Sequence, residues 1–270
     1  MDSGDYLPKR LFATDFRQGC KLAEFSIQLK NTVGVIAALS PVISKHNVKI
    51  LSGLHDAPSS AERASWAFFA DFTDADIEPE ALATELRSLP SVIDIRCRSS
   101  VDGFITDTMH FPHLLGSERA IIVRSVILES MFGAIKSMLG SESSSARVVL
   151  YKIGEAGGQH AFDSVKGVVG IDFIRKNVAR ALSLFTALGW GILDLRAVDL
   201  DAKTAYIYIE DDFECANHTE RATMPQCHYV RGMLGGWFSG LFESKIDIIE
   251  TECKAKGDSL CVFQVQPIKS

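Results

Sequence analysis

The chain has 270 residues, 47% of them hydrophobic, a net charge of −6 and a sequence pI near 5.7. That length supports one large or two ordinary domains with a sizeable core. The acidic balance, without any run of Lys or Arg, argues against a nucleic-acid surface as the main activity.

In chain order, residues 1–20 are a polar lead-in without the apolar segment of a signal peptide. Residues 23–29 (AEFSIQL) alternate apolar and polar as a strand. Asn31-Thr32-Val33-Gly34 is a turn, and residues 35–46 are apolar at helical spacing, with Pro41 expected to kink or restart the helix. Strands follow at 48–54 and 64–72, then a helix at 79–88 and a strand at 92–97. The order βαββαβ predicts a ferredoxin-like domain over 21–98. Residues 99–117 read as a linker, with His110 and His113 expected to be solvated or packed.

A second domain, 118–268, opens with an amphipathic helix over 121–139. Arg124, Glu129 and Lys136 interrupt it, and it falls short of the roughly 20 apolar residues of a membrane span. Gly140 and residues 141–145 break it. Residues 147–154 (RVVLYKIG) read as a strand, 155–158 as a loop, and 168–188 as one long helix capped by Gly189. Residues 192–200 and 204–213 form a hairpin, and 217–225 a polar loop. Gly232, Gly236 and Gly240 then stand at i, i+4 and i+8 of a helix, a bare ridge for close packing on the domain's own sheet or on a second subunit. The fold class is α+β throughout, and the whole reads as a soluble cytoplasmic protein.

The chain's six cysteines crowd towards one end, which fits a reducing compartment and a metal better than a disulfide framework. Cys227, Glu250, Cys253 and Cys261 form the pattern C-x22-E-x2-C-x7-C. Thiolates and a carboxylate together could close a tetrahedral shell as a structural site. Glu250 and Cys253 would point to opposite faces of a straight strand, so a bulge or the turn itself must bring them together. Reduced core cysteines, or a disulfide between two of them, remain open on spacing alone. No phosphate loop, HExxH, GxSxG or dinucleotide fingerprint is present, and no triad can be assembled from the histidines.

The run RGMLGGWFSGLF, followed by IDIIETECKAKGDSLCVFQV, resembles the C-terminal half of the vinyl-4-reductase domain family, through Arg231, Gly232, Leu234, Gly236, Glu250, Cys253, Gly257 and Cys261. Such domains serve as aromatic-sensing modules of bacterial transcription regulators and as stand-alone archaeal proteins. Their fold is similar to small subunits of vesicle-tethering complexes. The resemblance implies a structural Zn²⁺ held by Cys227, Glu250, Cys253 and Cys261. Residues 29–36 (LKNTVGVI) and the helix after them resemble an ACT domain, which implies an effector or pairing site at Asn31 and Gly34.

The expected function is a regulatory sensor for a small aromatic or otherwise apolar ligand, with Phe173, Phe185, Trp190, Tyr206, Tyr208 and Trp237 as pocket residues. A homodimer and a separate output protein are expected with it. An assembly scaffold is the alternative, and a tetrapyrrole vinyl reductase or its accessory ranks last.

Overall fold

Phe25, Ile27 and Leu29 alternate with polar residues along one strand, and the sheet of the N-terminal unit is built around that alternation. The computed structural model describes residues 6–58, 60–140, 143–216 and 221–268. The starts of the expected breaks at 141–145 and 217–225 lie outside the described residues. The chain divides between Ile121 and Ile122 into two compact units.

The N-terminal unit contains β1 (Thr14–Phe16), β2 (Leu22–Lys30), α1 (Val35–Ser44), β3 (Lys49–Asp56), β4 (Arg63–Asp71), α2 (Pro79–Arg87), β5 (Val92–Ser99), β6 (Phe104–Thr106), β7 (His113–Leu115) and β8 (Glu118–Ala120). Its four-stranded sheet has the order β3-β4-β2-β5, antiparallel throughout, which is the ferredoxin-like arrangement. One face buries Phe25, Ile27, Leu29 and Phe68 against Leu39 and Ile43 of α1 and Leu82 and Leu86 of α2. Pro79 opens α2, where its missing N–H costs no helical bond. Helix α1 continues through Pro41 rather than restarting there. The expected linker carries β6 and β7, and β6 pairs with β1.

The C-terminal unit contains α3 (Ser125–Leu139), α4 (Ser144–Val169), α5 (Ile171–Lys176), α6 (Val178–Ala187), β9 (Ile192–Asp199), β10 (Thr204–Glu210), α7 (His228–Phe242), β11 (Ile246–Glu252), a 3-10 turn (Lys254–Lys256) and β12 (Cys261–Pro267). The antiparallel sheet runs β11-β12-β10-β9. Ala205, Ile207 and Ile209 of β10 and Cys261, Phe263 and Val265 of β12 are its buried row.

Two sequence readings need correction here. Residues 147–158 are not strand and loop but the first half of the 26-residue helix α4. A short apolar run such as RVVLY does not separate strand from buried helix. The decisive period is Ala146, Leu150, Gly154, Gly158 and Phe162, one buried face at four-residue spacing. The long helix expected at 168–188 is three: Gly170 (φ 79°) ends α4, and Asn177 (φ −135°) separates α5 from α6.

That four-residue row explains the glycines of α7. A Cβ on Gly232 or Gly236 would stand 2.1 Å and 2.0 Å from the carbonyl oxygens of Tyr151 and Glu155 on α4. A Cβ on Gly154 or Gly158 would stand 2.1 Å and 1.9 Å from those of Tyr229 and Met233 on α7. The two helices lie backbone against backbone through reciprocal glycine rows. The ridge on α7 is therefore filled by this chain's own α4, not by a second subunit, and mainly not by the sheet.

Candidate metal centre and apolar pocket

The sulfur cluster forms where three backbone devices meet. Ile246, Ile248 and Glu250 share the inward face of β11, so the carboxylate continues an apolar row. The register slips between Glu250 and Glu252, which is the bulge the spacing required. Cys253 then lies just beyond the strand and Cys261 opens β12. Cys227 is the residue preceding the first turn of α7.

A third segment, missed in the sequence reading, brings a fifth donor. Glu214 projects both carboxylate oxygens at α7, where they accept the N–H groups of Tyr229 (3.1 Å) and Val230 (2.9 Å). These are N–H groups at a helix start with no intrahelical partner, and a carboxylate suits them electrostatically. The anchored turn places Cys215 Sγ 2.7 Å from Cys227 Sγ and 3.5 Å from Cys253 Sγ. Cys227 Sγ is in turn 4.0 Å from Cys253 Sγ and 3.5 Å from Cys261 Sγ. Donor atoms of Cys215, Cys227, Glu250, Cys253 and Cys261 all lie within 4.8 Å of one another, and all five residues are buried. Cys215 stands 12 residues before Cys227 with no metal-ligand spacing around it, so only the turn's attachment to α7 reveals it.

This donor set fits a tetrahedral thiophilic ion. Sulfurs at Zn–S distances of about 2.3 Å stand roughly 3.8 Å apart at tetrahedral angles, and the separations from Cys227 to Cys253 and Cys261 bracket that. Glu250 Oε2 accepts the Cys227 N–H at 3.2 Å, whereas the buried Oε1 has no protein partner. Backbone N–H groups of Gln226 and Lys254 point at Cys253 Sγ (3.4 Å) and Cys261 Sγ (3.5 Å), support that thiolates want. Burial, then the neighbouring Cys253 sulfur, pushes the Glu250 carboxyl up to about 10, and burial pushes the Cys227 thiol well up. Hydrogen bonds from Cys215, Cys227 and Cys261 hold the Cys253 thiol below its usual value. One group ionises at the expense of its neighbours, and a divalent cation removes that conflict. His228, beside Cys227, is buried, pushed down to about 4 by burial, and not among the converging donors.

The expected pocket residues separate. Phe185 on α6, Trp190 after it and Trp237 on α7 line one apolar cavity of about 60 Å³, with Ala161 of α4 and Met233 of α7. Phe173 is exposed on α5, outside this cavity. Tyr206 and Tyr208 occupy the face of β10 opposite the buried Ala205, Ile207 and Ile209; Tyr206 is exposed, and the Arg196 guanidinium stacks on Tyr208. Ala161 and Met233 were not singled out in the sequence, because their helical partners were not legible there.

In the N-terminal unit, the Asn31 side-chain amide donates to the carbonyls of Pro58 and Ala61, both at 2.9 Å. Gly34 has φ 81° with open space where a Cβ would be, so the position needs glycine for its backbone rather than for room. A second donor group, Glu24, Asp107 and His110, lies on the sheet face away from α1 and α2. The His110 ring bonds Asp107 Oδ1 and Ser26 Oγ, both at 2.8 Å, and Thr108 donates its N–H and hydroxyl to Glu24. The network ties residues 107–110 to β2, so His110 is packed, while His113 is exposed.

Among the described residues no helix is long and apolar enough to cross a membrane. The uncharacterized protein MJ0150 of Methanocaldococcus jannaschii is 24% identical over 137 residues, covering 51% of this chain and 74% of that one. The uncharacterized protein MJ1642 of the same organism is 40% identical over 42 residues, 16% of this chain and 26% of that one. Among solved structures, the phenol-responsive sensory domain of the transcription activator PoxR, crystallised with phenol, superposes with a TM-score of 0.50 at 23% identity. The match spans 57% of this chain and 79% of that one, and the likeness is one of fold. The family model of the vinyl-4-reductase domain matches residues 205–267, a span containing Cys215, Cys227, Glu250, Cys253 and Cys261: the C-terminal unit carries a vinyl-4-reductase domain.

Proposed function

We propose that the chain is a ligand-responsive regulatory module. Its C-terminal unit closes around a small apolar or aromatic molecule, and Zn²⁺ held by Cys227, Glu250, Cys253 and Cys261 fastens the start of α7 to the β11–β12 hairpin. One observation carries the reading: α7 supplies both a metal donor, at Cys227, and cavity-lining residues two to three turns on, at Met233 and Trp237. A helix pinned at its N-terminus by the metal holds one wall of the cavity in place. Zinc supplies a structural cross-link when bound, and no catalytic step is assigned to it.

The chemistry of the lining limits the ligand class. The side chains around the cavity are aliphatic, aromatic or thioether, with only indole N–H groups as polar atoms. A strongly polar molecule would lose its water without replacement partners. The cavity is also small, since an engineered hole that admits benzene measures about 150 Å³. Entry therefore requires Met233 or the Phe185–Trp190 pair (rings 5.8 Å apart) to swing aside. PoxR, whose sensory domain shares this fold, is phenol-responsive; a ligand with at most one such polar group is the class proposed here. The response passes to a separate output protein, with the N-terminal unit pairing chains or binding an effector at Asn31 and Gly34.

The narrowness of the same cavity favours a second reading, an assembly scaffold without a ligand. Native mass spectrometry of protein purified without added metal, with thermal unfolding in toluene, phenol or buffer, separates the two. One zinc per chain and a toluene-dependent rise in Tm support the sensor. One zinc with no response to either aromatic leaves the scaffold, and absence of metal refutes the zinc assignment.

A further inference from the structure

Five donors converge where four complete a tetrahedral shell. Cys215 and Cys227 cannot both bind one zinc without strain: sulfurs 2.7 Å apart, each at about 2.3 Å from the ion, would subtend roughly 70° instead of about 109°. Glu250 Oε1, buried and without a partner, takes the fourth place. Cys215 is thereby left as a thiol pressed against a ligand sulfur, held there because Glu214 clamps its turn to α7.

We propose that Cys215 is the oxidation partner of Cys227, making the metal centre a site that exchanges zinc for a disulfide. The inference rests on the zinc reading above. The oxidant is hydrogen peroxide: both sulfurs are buried, at 1% and 0% exposure, so a protein disulfide could not reach them. Cys227 sulfur attacks one peroxide oxygen, the O–O bond breaks, and the sulfur becomes a sulfenic acid as water leaves. Cys215 sulfur attacks the sulfenic sulfur, the S–S bond forms, the S–O bond breaks, and a second water leaves. Two thiols and one peroxide give one disulfide and two waters, with two electrons passing from sulfur to oxygen. The shell then keeps only Glu250, Cys253 and Cys261, and zinc is released. A bond of about 2.05 Å requires the two sulfurs to close a gap of less than 1 Å.

The test uses the full zinc-loaded chain. Hydrogen peroxide is titrated in, zinc release is followed with a chromogenic chelator, and disulfides are mapped by mass spectrometry of non-reduced peptides. One zinc per chain should leave in step with a Cys215–Cys227 cross-link. Cys215→Ser should carry the same zinc before oxidation and release it at least tenfold more slowly. Equal release from Cys215→Ser, a cross-link between other sulfurs, or a variant purified without zinc would each overturn the proposal. If the wild-type chain carries no zinc, the metal reading fails, and the peptide map of the metal-free protein still decides whether Cys215 and Cys227 are partners.

Discussion

Replacing Gly158 by Ala adds one methyl group at a point where α4 and α7 touch backbone to backbone. Its Cβ would stand 1.9 Å from Met233 O and 2.7 Å from Met233 C. The obstacle is main chain, so no rotamer change relieves it, and the helices must separate by at least about 1 Å in a close-packed interior. Overpacking of this kind costs about 1–3 kcal/mol, and a backbone obstacle belongs at the upper end. The better helix propensity of Ala returns about 1 kcal/mol. The net loss is about 2 kcal/mol, or a fall in Tm of about 4–8 °C for a unit of this size. Gly133, in the middle of α3, has nothing within 4 Å of its Cβ position. Gly133→Ala keeps the propensity gain alone and should raise Tm by about 2–4 °C. Thermal unfolding followed through the fluorescence of Trp190 and Trp237 reads both. A Gly158→Ala Tm equal to or above wild type would refute the backbone-to-backbone packing of α4 on α7.

Other substitutions address the site. Cys261→Ser removes a donor from β12, and zinc by inductively coupled plasma mass spectrometry should fall from one per chain to well below half, with Tm dropping because metal binding is folding free energy. Zinc affinity should rise with pH between about 6 and 8. Glu250, raised to about 10, and Cys227, raised well above the usual thiol value, both keep protons in the metal-free fold and must release them on binding. Titration in buffers of different ionisation enthalpy counts those protons, and a pH-independent affinity would contradict the donor assignment. Ala161→Leu should fill the cavity of about 60 Å³ and abolish the toluene-dependent Tm rise while zinc content stays at the wild-type level; an unchanged toluene response would place the ligand elsewhere.

The metal motif was legible because it is short-range. Glu250, Cys253 and Cys261 lie within one hairpin, and strand parity alone demands the bulge that the register shows. The ferredoxin-like unit was legible for a similar reason, since Phe25, Ile27 and Leu29 alternate against helices of clear periodicity. Residues 147–158 were misread because their partner, α7, lies some 80 residues away in sequence. Glycines that break isolated helices become the contact surface once another backbone lies against them.

The sequence by itself determined the local patterns: which strands alternate, which residue types can hold a soft cation, and which helix carries a glycine ridge. Tertiary structure alone decided which backbone fills that ridge, which three of the six aromatic residues reach one cavity, and that Cys215 joins the cluster. Each of those depends on a contact between segments distant in the chain, such as Glu214 bonding the N–H groups that open α7. Local sequence specifies hydrogen-bonding capacity and periodicity, but not the distant group that satisfies an orphan donor or fills a groove, because that partner is set by the packing of the whole unit.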